Sequence, residues 1–511
     1  MKPIIIRLIL ALLIIMLVHI ACNKKDLNVK PPTATEDSYF NSETEFRAAV
    51  IGVYASLTDF YSSANSAEGN NGGVAESETF LLPGDDLTNN GNEPYEIFGT
   101  LGPADPKLNE IFTSSYILIG RANTVLEKLR TVPAGVFTTP NLQNYNEGEM
   151  FFLRAFANFQ LWNLFGTAPI DTIVLNSISQ LNPPSSKGTA LLDQAISDLT
   201  SAASLLPSSP WDSTNTGRVT MNSAYGLLGK CLVFRATVTK NAADYTAAIA
   251  AFNKIIGVSL VPNFEDNFNV NTENNPESLF EFQAGVPIGG LGTTNYWLAN
   301  DQVNIGVTSA YYGSFGAGNN QYMGGGLYTA TTKLLNIFDS GDPRLPLTLD
   351  TATLDINKYI LNDKTEGCCG VTSMNNTRIL RYADVLLLEA EAILQSGGST
   401  SDAIALINQV RARARNMVGG GTVPADQDNT ITDKSTIFQW IMDERLRELA
   451  AEGQRWYDIR RWTIGGLITP DNNFFSSTVA SKMGYDSHNL YFPIPTSETD
   501  KNPNITQNPG Y

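Results

Sequence analysis

Residues 442–462 read MDERLRELAAEGQRWYDIRRW. Met442, Leu446, Leu449, Ala450, Gly453, Trp456 and Tyr457 recur at helical spacing, which predicts one apolar face. The other face carries Glu444, Arg445, Arg447, Glu448, Glu452 and Arg455. Glu444 with Arg447, Arg445 with Glu448, and Glu452 with Arg455 stand three apart, so each pair is within reach along a helix. On this reading the stretch packs on a core and turns a charge-paired face to water, where such pairs are worth ~0–1 kcal/mol each. Gly453 predicts a cap or kink, after which RWYDIRRW starts a second helical piece.

Helical patterns dominate the chain upstream. Ser42 and Glu45 form a capping-box pair ahead of apolar positions running from Phe46 to Tyr61. Further patterns cover 108–129, 149–165, 192–206, 220–239, 243–256, 381–395 and 401–415. Phe152, Phe156, Phe159 and Trp162 are spaced for core packing, with Gly166 as a cap and Pro169 as a stop. Alanine-rich helix pairs with short turns suggest tetratricopeptide-like units at irregular intervals. Two stretches interrupt them. Residues 62–102 are rich in Gly, Asn, Ser and acids, with Leu81-Leu82-Pro83 as an apolar pin. Residues 258–346 hold a short strand, 278–283, followed by glycines and aromatics. The expected fold is mainly α: a tetratricopeptide-like helical-repeat scaffold with a long irregular, loop-rich ligand-binding insertion.

Composition narrows the function. The chain has 511 residues, 34 Lys+Arg against 51 Asp+Glu, and a formal charge of −17. Such acidity argues against nucleic acid or anionic lipid as a partner. Lys2 and Arg7 precede an apolar run over 8–18, too short to span a bilayer and suited to a signal peptide. The run ends His19-Ile20-Ala21-Cys22, so 1–21 reads as a lipoprotein signal peptide, Cys22 as the lipidated residue and 22–35 as a tether. His19 is a departure from the branched apolar residue expected three before the cysteine. The leader takes His19 with it and leaves His488 as the remaining histidine, which removes nearly all Ser–His, Cys–His and multi-His metal chemistry. Cys231 sits in an apolar helix as core filler. Cys368 and Cys369 are adjacent, either a vicinal disulfide or two thiols. No cysteine spacing suits zinc.

Glu444-Arg445, Glu448-Leu449, Glu452-Gly453, Arg455-Trp456, Asp458 and Arg461-Trp462 resemble the C-terminal signature of the SusD/RagB family. Arg381-Tyr382-Ala383-Asp384-Val385 through Glu389-Ala390-Glu391-Ala392 is similar to the family's preceding helix. The tail Phe492-Pro493-Ile494-Pro495, Glu498, Asn502-Pro503-Asn504 and Gln507-Asn508-Pro509-Gly510-Tyr511 is similar to its terminal motif. With residues 146–169, the resemblance covers most of the chain after the leader. It implies a single SusD-like domain over 36–511, with insertions near 62–102 and 258–346. It also implies a lipoprotein on the outer-membrane surface that captures oligosaccharides, or peptides in RagB-like members, for a SusC-like TonB-dependent transporter.

Enzyme signals are weak by comparison. Gly316-Ala317-Gly318 lacks the third glycine of a nucleotide fingerprint, and no P-loop lysine is present. Asn267, Asn269 and Asn271 alternate without the glycine and terminal Glu of a calcium loop. No metal or cofactor is expected. A glycoside hydrolase needs two carboxylates and no histidine, and Asp85, Asp86, Glu389 and Glu391 are the acids to consider. Adjacent acids on a loop are a poor platform for positioned catalysis. Glycan binding asks less: an aromatic face and short polar side chains. Trp297 with Tyr296, Tyr311, Tyr312 and Tyr322 is the expected platform, and Asp85, Asp86 and Asn89 are its expected hydrogen-bonding partners. The competing role for Trp297 is to anchor the insertion to the scaffold.

Overall fold

The computed structural model describes residues 39–61, 77–89, 93–177, 180–284, 328–359, 375–417, 421–475 and 484–511. Ten helices of ten residues or more form the bulk of these. They are α1 (Glu43–Tyr54), α2 (Pro106–Thr131), α3 (Leu142–Phe165), α4 (Ala190–Leu205), α5 (Met221–Thr239), α6 (Ala242–Phe252), α7 (Tyr382–Ser396), α8 (Thr400–Asn416), α9 (Lys434–Leu449) and α10 (Arg455–Ile464).

Local chemistry sets most of their ends. At α1 the Ser42 hydroxyl accepts from Glu45 N–H, while the Glu45 carboxylate accepts from Asn41 N–H at 2.8 Å. Thr220 and Ser223 make a reciprocal capping box at α5. Gly166, with φ +72°, turns the chain away from α3, and Gly397, with φ +83°, ends α7. Helix α3 begins seven residues before the expected start, and every residue from 148 to 165 is buried. Its aromatic positions are core, as their spacing predicts.

Consecutive helices pack on one another from α2 to α9, and α10 returns onto α5. This succession of neighbour contacts is the tetratricopeptide-like stack. Contact between α5 and α6 is close enough that a Cβ on Gly229 would lie 2.1 Å from the Phe252 ring. One apolar cluster draws on residues from Phe46 to Ile505, and a second lies among α7, α8 and α9 around Leu394, Ile407 and Ile441. Two small antiparallel ladders complete the frame. β1 (Leu87–Thr88) pairs with β3 (Thr329–Ala330), and β2 (Ser278–Phe282) pairs with β4 (Thr377–Arg381).

The signature stretch departs from expectation. Gly453 does break it, at φ +74°, between α9 and α10. The charged face, however, is not solvated: Glu444, Arg445, Glu448, Glu452, Arg455, Arg460 and Arg461 are all buried. Of the three in-helix pairs, Glu444–Arg447 forms, at 3.4 Å. The other charges reach distant segments. Glu448 accepts from Arg381 at 2.7 Å, Arg344 at 2.9 Å and Arg413. Glu452 accepts from Arg381 and Lys358, and Arg445 donates to Asp384 and Asp458. Arg461 holds Glu391, whose other oxygen contacts include Trp462 Nε1. Removing one partner of such a buried pair typically costs ~3–5 kcal/mol, because the other charge stays buried. These ions therefore join distant segments and make the fold sensitive to loss of any one of them.

Candidate functional site

The two interrupting stretches meet on the helical frame. Leu81 and Leu82 are buried, as an apolar pin should be, and they draw the following residues inward. The ladder of Leu87 with Ala330 and Thr88 with Thr329 joins the first stretch to the end of the second. Thr331 reinforces it, donating from Oγ1 to Asp85 O at 2.8 Å and from N–H to Asp86 O at 2.9 Å. Tyr61, the last described residue before 62, packs its ring on Phe282 with centroids 5.8 Å apart.

Asp85 and Asp86 lie inside this junction, which corrects the expectation that they reach a ligand from an open loop. Asp85 is fully buried; its carboxylate accepts from Arg455 Nε at 2.5 Å, from Arg455 Nη2 at 3.0 Å and from Lys333. Burial pushes its pKa up, but Arg455 and Lys333 outweigh burial and hold it well below the usual carboxylate range. Asp86 accepts from Ala451 N–H at 3.0 Å. Burial raises its pKa, the Ala451 hydrogen bond opposes this, and the Asp85 charge adds to the rise. Asn89 is partly buried, with its N–H on Glu96 Oε2 at 3.1 Å. Of the other acids weighed for hydrolysis, Glu391 is buried under Arg461 and Trp462, and Glu389 is partly buried on the same helix. Tyr296, Trp297, Tyr311, Tyr312 and Tyr322 lie outside the described residues, as do Cys22, Cys368 and Cys369.

A cleft of about 190 Å³ opens beside the Tyr61–Phe282 contact, lined by Ile51, Tyr54, Thr216, Gly217, Arg218 and Gln283 among others. One of its lining residues, Arg218, belongs to a buried ion pair that sequence reasoning missed. Arg218 grips Glu149 of α3 through Nε at 2.7 Å and Nη2 at 2.5 Å, and Tyr54 OH donates to the same carboxylate at 2.9 Å. Gly217, at φ +86°, lets Gln283 close in; a Cβ there would stand 2.3 Å from the amide carbon. Asn274 and Asn376 bond that amide, fixing the point where the chain leaves β2. A wider groove of about 540 Å³ runs along the other side of α1, past Gly52, Asp59 and Arg121. Nothing in the local sequence marks Arg218 as half of a buried pair, since its partner is 69 residues away.

Among the described residues, no group of three His, Cys, Asp or Glu side chains could hold a metal ion. No described helix is long and apolar enough to cross a membrane.

Comparison with known proteins agrees with this architecture. The profile of the SusD family matches residues 350–511, and that of a family described as starch-binding and associating with the outer membrane matches 27–232. SusD-like protein P38 of Formosa agariphila is 30% identical over 383 residues, spanning 68% of this chain and 70% of that protein. SusD-like protein P2 of the same bacterium is 25% identical and spans 98% of each chain. The solved structure of a laminarin-binding SusD-like protein is 25% identical, with a TM-score of 0.70, over 92% of this chain and all of that one. Helical stack, buried signature and likeness along nearly the whole length lead to one conclusion: the chain belongs to the SusD/RagB family.

Proposed function

We propose that this protein is a binding lipoprotein of the outer membrane that captures oligosaccharides at the cell surface. It hands them to a SusC-like TonB-dependent transporter and does no chemistry on them. The observation that carries this reading is the likeness, over 92% of the chain, to a structure named for binding laminarin. Two further comparisons support it. The profile over 27–232 is described as starch-binding and associating with the outer membrane, and a 135-residue stretch is 30% identical to the starch-binding protein SusD of Bacteroides thetaiotaomicron. In this reading Cys22 carries the lipid. The ligand surface is built where the 62–102 and 258–346 stretches meet, with the aromatic residues around Trp297 as its platform.

A glycan and peptide array on the full chain in detergent, followed by calorimetry, tests the reading. Saccharides are expected to bind and to be recovered without new reducing ends. Binding confined to peptides would turn the reading to RagB-like peptide capture. Release of reducing ends from a bound glycan would make the protein a hydrolase. Trp297→Ala should weaken saccharide binding by ~1–3 kcal/mol, by analogy with base–aromatic stacking, and leave the melting temperature in place. A fatty-acid probe that labels the parent but not Cys22→Ala would establish the anchor.

A further inference from the structure

The loop 206–220, between α4 and α5, carries a half-buried tryptophan that serves neither apolar cluster. Trp211 touches Tyr145 edge to face, with centroids 5.6 Å apart, and Tyr145 lies outside both clusters too. The indole is nonetheless held in place. Its Nε1 donates to Val219 O at 2.9 Å, and one face rests on the Arg218 guanidinium, 3.9 Å from the ring centroid. Arg218 is in turn clamped to α3 by Glu149 and by Asn146 Oδ1 at 3.0 Å. The loop closes at its base through Met221 N–H on Pro207 O at 2.9 Å. A large, half-buried aromatic ring on a polar loop, held by Val219 and Arg218 and outside both apolar clusters, has the form of a stacking surface rather than a core residue.

The groups around it are those that bind sugar hydroxyls. Asp212, Thr214 and Thr216 are exposed, and Asn215 is partly so. Asp212 Oδ1 accepts from Thr214 N–H at 2.8 Å and Thr214 Oγ1 at 2.6 Å, which shapes the turn. Its Oδ2 accepts from Asn215 Nδ2 at 3.1 Å and has lone pairs left for another donor. Thr216, Gly217 and Arg218 run from this loop into the 190 Å³ cleft. We propose that Trp211, with Asp212 and Thr216, forms a subsite for one pyranose unit of the captured glycan, continuous with that cleft. The C–H face of the sugar stacks on the indole, and its hydroxyls donate to Asp212 Oδ2 and to Thr216 Oγ1, whose own proton goes to Ser213 O at 3.3 Å. The subsite rests on the glycan reading above.

The test uses the full chain in detergent, labelled with 5-fluorotryptophan, with the Trp211 fluorine signal assigned from Trp211→Phe. The probes are laminarihexaose, maltoheptaose and a neutral pentapeptide. A saccharide is expected to shift the Trp211 signal. Trp211→Ala should weaken its Kd about tenfold, the scale of one stacked ring. Trp211→Phe keeps a flat face, so it should fold as the parent does and lose much less. A saccharide that binds while the Trp211 signal stays fixed and both variants keep the parent Kd overturns the subsite and leaves the glycan reading standing. A shift with the pentapeptide alone overturns the sugar occupant. If neither saccharide binds, the glycan reading and the subsite fall together.

Discussion

Glu448 and Asp212 are both carboxylates that accept several hydrogen bonds, yet they act on different scales. The donors to Glu448 are Arg344, Arg381 and Arg413, which come from three other parts of the chain and meet it with no exposure to solvent. The donors to Asp212 are Thr214 and Asn215, within its own turn, and the group stands in water. One acid decides which segments lie together. The other decides only the shape of a loop, and so leaves that loop's surface open to a ligand.

The largest break in this contrast should come from Glu448→Ala. It leaves Arg344, Arg381 and Arg413 charged and buried, so urea unfolding should show a loss of ~3–5 kcal/mol. Acid offers a second way in. Burial pushes Glu448 and Asp384 up, but Arg413, Arg381 and Arg344 around the first, and Lys230 and Arg445 around the second, hold both well below the usual range. A depressed carboxylate contributes stability that is present above its unfolded pKa and lost as pH falls toward the folded one. Stability should therefore decline from roughly pH 5 downward, starting near the ordinary Asp and Glu values. Glu448→Gln should flatten that decline; an unchanged slope would mean other groups carry it.

Asp85→Asn keeps the shape and removes the charge facing Arg455 and Lys333. A loss of about 2 kcal/mol is expected, on the scale of hydrogen bonds to charged groups. Amide exchange should quicken at 85–88 and 329–331 before it does in α3, and uniform quickening would count against a local junction. Asp212→Ala should be the smallest effect, with the melting temperature unmoved. If Asp212→Ala and Glu448→Ala unfold alike, the contrast between the two carboxylates fails.

The parts of the fold legible in the sequence are those decided within a turn of the chain. Ser42, Thr220, Gly166 and Gly397 mark helix ends because caps are local chemistry. Charge burial was not legible. Glu448 looks the same in a solvated helix and in a buried one, and its partners stand 35 to 104 residues away. Asp85 and Asp86 misled for a related reason. Their polar surroundings suggest an open loop, but Leu81 and Leu82 draw the next residues inward, where Arg455 and Lys333 wait. Trp211 was legible only as a tryptophan in a separate loop. What marks it as a surface is its detachment from both apolar clusters, a property of the folded chain.

The ladder between Leu87–Thr88 and Thr329–Ala330 has a consequence for how this chain tolerates change. Together with the packing of Phe282 on Tyr61 and the amide bonds at Gln283, it gives the segment between 284 and 328 fixed anchor points at both ends. The entropy of closing a chain between fixed ends grows only with the logarithm of its length, so doubling that segment would cost about 0.6 kcal/mol. The ten helices described above all lie outside that segment. The ligand surface proposed above, mounted on such anchors, could be exchanged while the frame stays the same.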